Sequence, residues 1–272
     1  MSGATGFRIG SSESRGSAVV EDGTYVGPDG AIVEAYLVRP AASSENGSHA
    51  GPGIVAWHWF DTKAPDGDRT QFVDEAVALA ADGIVSLLPQ GRFPWAADPA
   101  GAAADVEAIT AEVGRLRAGI DLLADHSAVD PERIGVVGHD FGGMLATLAA
   151  AGDERVQALI VIAATPRWGD WFLPFWDIPD DRLEYLRALR PLDPIERIDD
   201  VWSPVLFQFG GDDFFIAAMS ALEFRSAAKD GAEHRTYPGV DHGMRIEEAV
   251  ADRRAFLLRH LASSDRAGDV GV

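Results

Sequence analysis

The residues with the clearest chemical potential lie where apolar runs end. Ile134-Gly135-Val136-Val137 has the look of a buried strand, and it runs into Gly138-His139-Asp140-Phe141-Gly142-Gly143. A helix is expected from Phe141 to Ala151. A strand that turns so abruptly into a helix needs glycines around the turn, because the two backbones pass too closely for a Cβ. The turn then lifts one side chain, Asp140, to the C-terminal edge of the sheet beside the unpaired N–H groups of a helix start. A carboxylate in that position is either a nucleophile or base, or an ordinary helix N-cap.

Two later segments bear on that choice. The apolar run Val205 to Phe209 ends in Gly210-Gly211-Asp212-Asp213-Phe214-Phe215-Ile216, which puts an acid just past a strand end. Tyr237-Pro238-Gly239-Val240-Asp241-His242-Gly243 then places a histidine in a loop after a short strand. A carboxylate beside an imidazole orients it and stabilises its charged form, and the imidazole handles a proton. Asp212 and Asp213 are both candidates for the orienting acid. Asp241 ranks last, because adjacent side chains usually diverge.

The elements that must hold these residues alternate. Val19-Val20, the turn Gly27-Pro28-Asp29-Gly30 and the alternating stretch Ala31 to Val38 predict a hairpin. Beyond it, apolar runs at 54–57, 83–88, 134–137, 158–163 and 205–209 are separated by helical stretches. The strongest helix is Asp105 to Ala124, where Val106, Ile109, Val113, Leu116, Ile120 and Leu123 recur at spacings of three and four. Further helices are expected over 71–81, 214–229 and 244–261. This alternation predicts an α/β fold with a mostly parallel sheet covered on both faces. The expected domain spans 17–262, with loose tails at 1–16 and 263–272. Residues 166–203, rich in aromatics and proline, break the rhythm and read as a small cap.

Taken together, Gly138 to Gly142, Gly210 to Ile216 and Tyr237 to Gly243 resemble the α/β-hydrolase superfamily over about Val19 to Leu261. The layout is most similar to dienelactone hydrolase-like proteins. The aspartate in the elbow is similar instead to epoxide hydrolases and related dehalogenases. The resemblance implies a catalytic set of Asp140, His242 and Asp213, since Asp213 matches the residue three past Gly210. It implies an oxyanion hole from the backbone N–H of Phe141 and that of Trp59 or Phe60, in the loop after the strand 54–57. His58 in that loop reads as a structural histidine.

A carboxylate attacking an ester carbonyl would form an anhydride, whereas at a saturated carbon it forms an ordinary ester that water cleaves. The expectation is therefore a hydrolase acting on a small apolar epoxide or carbon–halogen substrate through an alkyl-enzyme ester. The alternatives are an esterase or lactonase in which Asp140 is a base or positions water, and a non-hydrolytic binding protein. Tyr185, the one tyrosine of the cap, is the candidate acid for an epoxide oxygen. Trp59, Trp95, Trp168, Trp171 and Trp176 are candidate halide donors and pocket walls, although packing of the cap accounts for most of them. Arg92 and Arg167 read as ordinary surface arginines.

Composition narrows the partners. The chain has 272 residues, and 43 acidic against 23 basic side chains leave a net charge of −20, which disfavours nucleic acid and anionic membrane surfaces. It has no cysteine, so neither a disulfide nor a thiol nucleophile is available. No metal-ligand spacing is evident, and neither metal nor cofactor is expected. The expected partner is a small-molecule substrate, a homodimer is left open, and the expected location is cytoplasmic.

Overall fold

A computed structural model describes residues 6–41, 50–61, 68–92, 99–178 and 180–262. Among them, nine strands form a single sheet. In chain order they are β1 (Arg8–Arg15), β2 (Ala18–Val26), β3 (Ile32–Pro40), β4 (Gly51–Trp57), β5 (Val85–Pro89), β6 (Val129–His139), β7 (Val156–Ile162), β8 (Val205–Gly210) and β9 (Glu233–Tyr237). Their spatial order is β1-β2-β3-β5-β4-β6-β7-β8-β9. The first three are antiparallel, and from β5 to β9 every neighbouring pair is parallel.

The apolar runs fall in the parallel core because both faces of those strands are covered. Ile54, Val55, Ile134, Val136, Leu159 and Ile160 are all buried. The helices are α1 (Val73–Ala80), α2 (Ala102–Ala124), α3 (Phe141–Ala150), α4 (Trp168–Phe175), α5 (Arg182–Leu189), α6 (Ala218–Ala227) and α7 (Glu247–His260). In α2 the stripe Ile109, Val113, Leu116, Ile120 and Leu123 faces the sheet, as its spacing requires. Residues 166–203, expected as a cap, carry α4, α5 and three single-turn 3-10 helices before β8.

Two boundaries differ from expectation for identifiable reasons. Residues 8–15 form an edge strand, not a loose tail. All eight are exposed, so the strand carries no apolar alternation to reveal it. Helix α7 starts three residues later than the expected Met244 because Met244 has a φ of +51°. That turn belongs to the loop holding His242. No helix among the described residues is long and apolar enough to cross a membrane.

Candidate active site

The site begins at the β6–α3 turn. Asp140 sits there with φ +58° and ψ −124°, a conformation rare for a residue with a Cβ. Main-chain bonds hold it: its N–H donates to the Ile162 carbonyl at 2.8 Å, and Gly143 donates to its own carbonyl at 2.9 Å. Gly138 and Gly142 allow the crossing. A Cβ on Gly142 would collide with the carbonyls of Trp57 and His58, and one on Gly138 with the Gly142 carbonyl. The Asp140 side chain makes no helix-capping bond to α3, so the N-cap alternative fails.

Its carboxylate is instead turned into the site. Oδ2 accepts from the Phe60 N–H at 3.0 Å, while Oδ1 is buried without a hydrogen-bond partner among the described residues. Burial pushes the Asp140 carboxyl above the ordinary carboxylate range, against the opposing pull of His242 and of the Phe60 and Phe141 N–H groups.

His242 comes from the loop between β9 and α7. Its Nδ1 lies 2.9 Å from Asp213 Oδ2, and its Nε2 lies 3.8 Å from Asp140 Oδ2 and has no hydrogen-bond partner among the described residues. Asp213 is itself pinned, since its Oδ1 accepts from the Phe215 N–H at 2.8 Å and the Ile216 N–H at 3.0 Å. Asp212 is exposed, and Asp241 spends its Oδ1 on the Gly243 N–H. Burial works against a charged His242, but the Asp140 and Asp213 carboxylates outweigh it and lift the imidazole to about 9. The two carboxylates therefore favour a cationic His242 at neutral pH.

Both oxyanion-loop candidates have their N–H groups engaged, that of Phe60 by Asp140 Oδ2. The Trp59 N–H donates to Gln71 Oε1 at 2.8 Å and cannot serve. The Trp59 ring still belongs to the site, with its centroid 6.2 Å from that of His242 and the Arg245 guanidinium 5.0 Å above it. His58 has the structural role expected of it: its Nδ1 lies 2.7 Å from the Trp59 carbonyl and its Nε2 accepts from the Gly91 N–H.

The cap aromatics divide. Trp171 packs edge-on to His242 at 5.7 Å, and its buried indole N–H has no hydrogen-bond partner among the described residues. Trp176 meets Phe60 at 5.9 Å. Trp168 donates its indole N–H to the Leu192 carbonyl at 2.7 Å, so it supports the cap and is not a leaving-group donor. Tyr185 likewise does not fill the role expected of it. It is fully buried, and its hydroxyl donates to Asp105 Oδ2 at 2.7 Å, so it is engaged with α2 and is not the acid for a leaving oxygen. Trp95 lies outside the described residues. Arg92 is spent on the Ile32 carbonyl and Arg167 on Glu223, as surface arginines would be.

Three residues near the site went unremarked in the sequence: Gln71, His139 and Arg245. His139 is a neighbour of Asp140 within the glycine turn, which was the one available hint. Among the described residues, no group of three or more His, Cys, Asp or Glu is placed to hold a metal ion.

A mostly parallel sheet, an acid at a strand–helix elbow and a histidine paired with a later acid define the α/β-hydrolase fold. Within it the chain belongs to the dienelactone hydrolase family, whose sequence profile matches residues 92–257. A probable 2-oxo-3-(5-oxofuran-2-ylidene)propanoate lactonase from Bradyrhizobium sp is 26% identical over 214 residues, covering 76% of this chain and 75% of that protein. An uncharacterized peptidase, YuxL of Bacillus subtilis (strain 168), is 21% identical over 253 residues. That match covers 84% of this chain but only 36% of the relative's length. Among solved structures, the acetyl xylan esterase from Paenibacillus sp. R4 superposes with a TM-score of 0.73 at 17% identity, over 93% of this chain and 88% of that one.

Proposed function

We propose that the protein hydrolyses the acyl–oxygen bond of small esters or lactones, with Asp140 as the base on water and His242 as the acid. Family membership supports acyl chemistry, and one of the similar proteins bears the name of a lactonase. The observation that carries the roles is the split of the Asp140 carboxylate: Oδ2 is held by Phe60, whereas Oδ1 is buried and unspent. In the proposed step Oδ1 takes a proton as water adds to the acyl carbon. The cationic His242 stabilises the developing oxyanion and gives its Nε2 proton to the departing alkoxide as the C–O bond breaks. Transfer of the proton from Asp140 to His242 restores the protonation states from which the proposed step starts. The products are the acid and the alcohol. The rings of Trp59, Trp171 and Phe215 against His242 favour an apolar or ring-bearing substrate.

These roles fix the sign of the pH dependence. Activity should fall on the acid side as Asp140 gains a proton, above the ordinary carboxylate range. It should fall again on the alkaline side near 9, as His242 loses its proton. A pH profile of kcat/KM on an activated ester checks this. Activity that climbs steadily through the alkaline range would identify neutral imidazole as the base and overturn the assignment.

One observation favours a second reading. Oδ2 rests on a backbone donor, as the carbonyl oxygen of an alkyl-enzyme ester would, which suits Asp140 as a nucleophile toward an epoxide or carbon–halogen carbon. His242→Ala separates the two. A covalent path leaves the Asp140 peptide heavier by a whole epoxide, or by the substrate less hydrogen halide, in intact-mass and peptide mapping. The acyl-hydrolysis path leaves no adduct from either reagent.

A further inference from the structure

We propose that Gln71 and His139 are positioning residues, a hydrogen-bond relay that sets the mutual register of the three loops forming the active site. The relay runs from the Trp59 N–H to Gln71 Oε1 at 2.8 Å, from Gln71 Nε2 to His139 Nδ1 at 2.5 Å, and from His139 Nε2 to the His242 carbonyl at 2.8 Å.

Its polarity follows from its two ends. A backbone N–H only donates, so the Gln71 oxygen faces Trp59 and the Gln71 amide nitrogen donates to His139. A backbone carbonyl only accepts, so His139 carries its proton on Nε2 and leaves Nδ1 bare. Burial, then the charge of His242 and of Arg253 and Arg245, keep that imidazole neutral. No member can be flipped without breaking a bond at each side.

Each bond does something the sheet cannot. The pairing of β4 with β6 stops at Trp57 and Gly138. Beyond it, the oxyanion loop, the elbow and the His242 loop need another tie. By taking the Trp59 N–H, Gln71 leaves the next N–H, that of Phe60, to meet Asp140. By holding the His242 carbonyl, His139 sets where the imidazole of that residue sits over Asp140. The Trp59 ring stacks on His139 at 5.3 Å and clamps the assembly.

The proposal rests on the hydrolytic reading only where turnover is measured, so the test has two readouts. One is kcat and KM on an activated ester. The other is the histidine titration of the full-length protein by nitrogen-detected NMR. Gln71→Leu removes both bonds at similar volume. It should lower kcat by about 10- to 100-fold with KM held within about threefold, the pattern of lost orientation. Gln71→Glu keeps an acceptor for Trp59 but offers no donor to His139. His139 must then hold a proton on Nδ1, and keeping the His242 carbonyl bond makes it a cation with its ring 5.3 Å from that of His242. The introduced carboxylate sits beyond His139 in the relay and offsets only part of this charge, so the titration of His242 should still move down from about 9. The charged groups otherwise facing this pair are Asp140, Asp213, Arg245 and Arg253, and all are unchanged in the variant.

Wild-type kcat in both variants, with an unmoved His242 titration, overturns the relay. So does a parallel loss of kcat, KM and melting temperature, which marks a packing role alone. If the wild type turns over no ester, the hydrolytic reading fails, and the His242 titration in Gln71→Glu still decides the relay.

Discussion

Asp140→Ala is expected to lower turnover by on the order of 10⁴-fold while the protein stays folded. The rate falls because the variant loses the buried Asp140 Oδ1, which has no hydrogen-bond partner among the described residues, and one of the two carboxylates beside His242. The fold survives because the turn is built from main-chain bonds to Ile162 and Gly143 that do not involve the side chain. The substitution also leaves His242 buried with Asp213 alone, so its titration should drop from about 9 toward or below the ordinary histidine value. Steady-state kinetics and the His242 titration check both halves. Activity equal to wild type would remove Asp140 from the mechanism under either reading.

The second large effect is on the scaffold. Gly142→Ala is expected to destabilise the protein by about 3 kcal/mol and to abolish activity with it. The added Cβ meets two carbonyls, those of Trp57 and His58, and no flexible side chain that could yield. Either α3 lifts from the sheet, or the end of β4 moves and carries the Phe60 N–H away from Asp140. A drop in melting temperature of roughly 6–12 °C corresponds to that cost in a domain of this size. Gly152→Ala is a useful contrast. Its Cβ meets nothing, and the strain there comes from a φ of +76° alone, so the cost should be about 1 kcal/mol.

Much of the site was readable because its chemistry sits where strands end. Asp140 and Asp213 each follow an apolar run within a few residues, and the run itself announces the strand, whereas His242 follows the short polar strand Glu233–Tyr237. What stayed hidden has different physics. Consecutive backbone N–H groups in a loop point different ways, and nothing in the residue types of Trp59 and Phe60 says which one faces the elbow. Gln71 acts across 12 residues to Trp59 and 68 to His139, through an amide that looks like any polar residue before a helix. Tyr185 and Trp168 carry the right groups for a leaving-group role, but the cap helices turn them toward Asp105 and Leu192. Facing within a short helix is decided by what it packs on. The strand at 8–15 was illegible because an edge exposed on both faces has no apolar pattern to conserve the period.

The carboxylate resting on the Phe60 N–H has a consequence for chemical biology. Fluorophosphonate and boronate reagents report serine hydrolases by bonding a hydroxyl at the elbow apex while an anionic oxygen settles onto the adjacent backbone donors. Here the apex offers no hydroxyl, and an aspartate oxygen already sits on the Phe60 donor. This protein should therefore pass unlabelled through activity-based surveys that capture hydrolases with a serine at the elbow, and a silent lane in such a gel would say nothing about whether it turns over substrate.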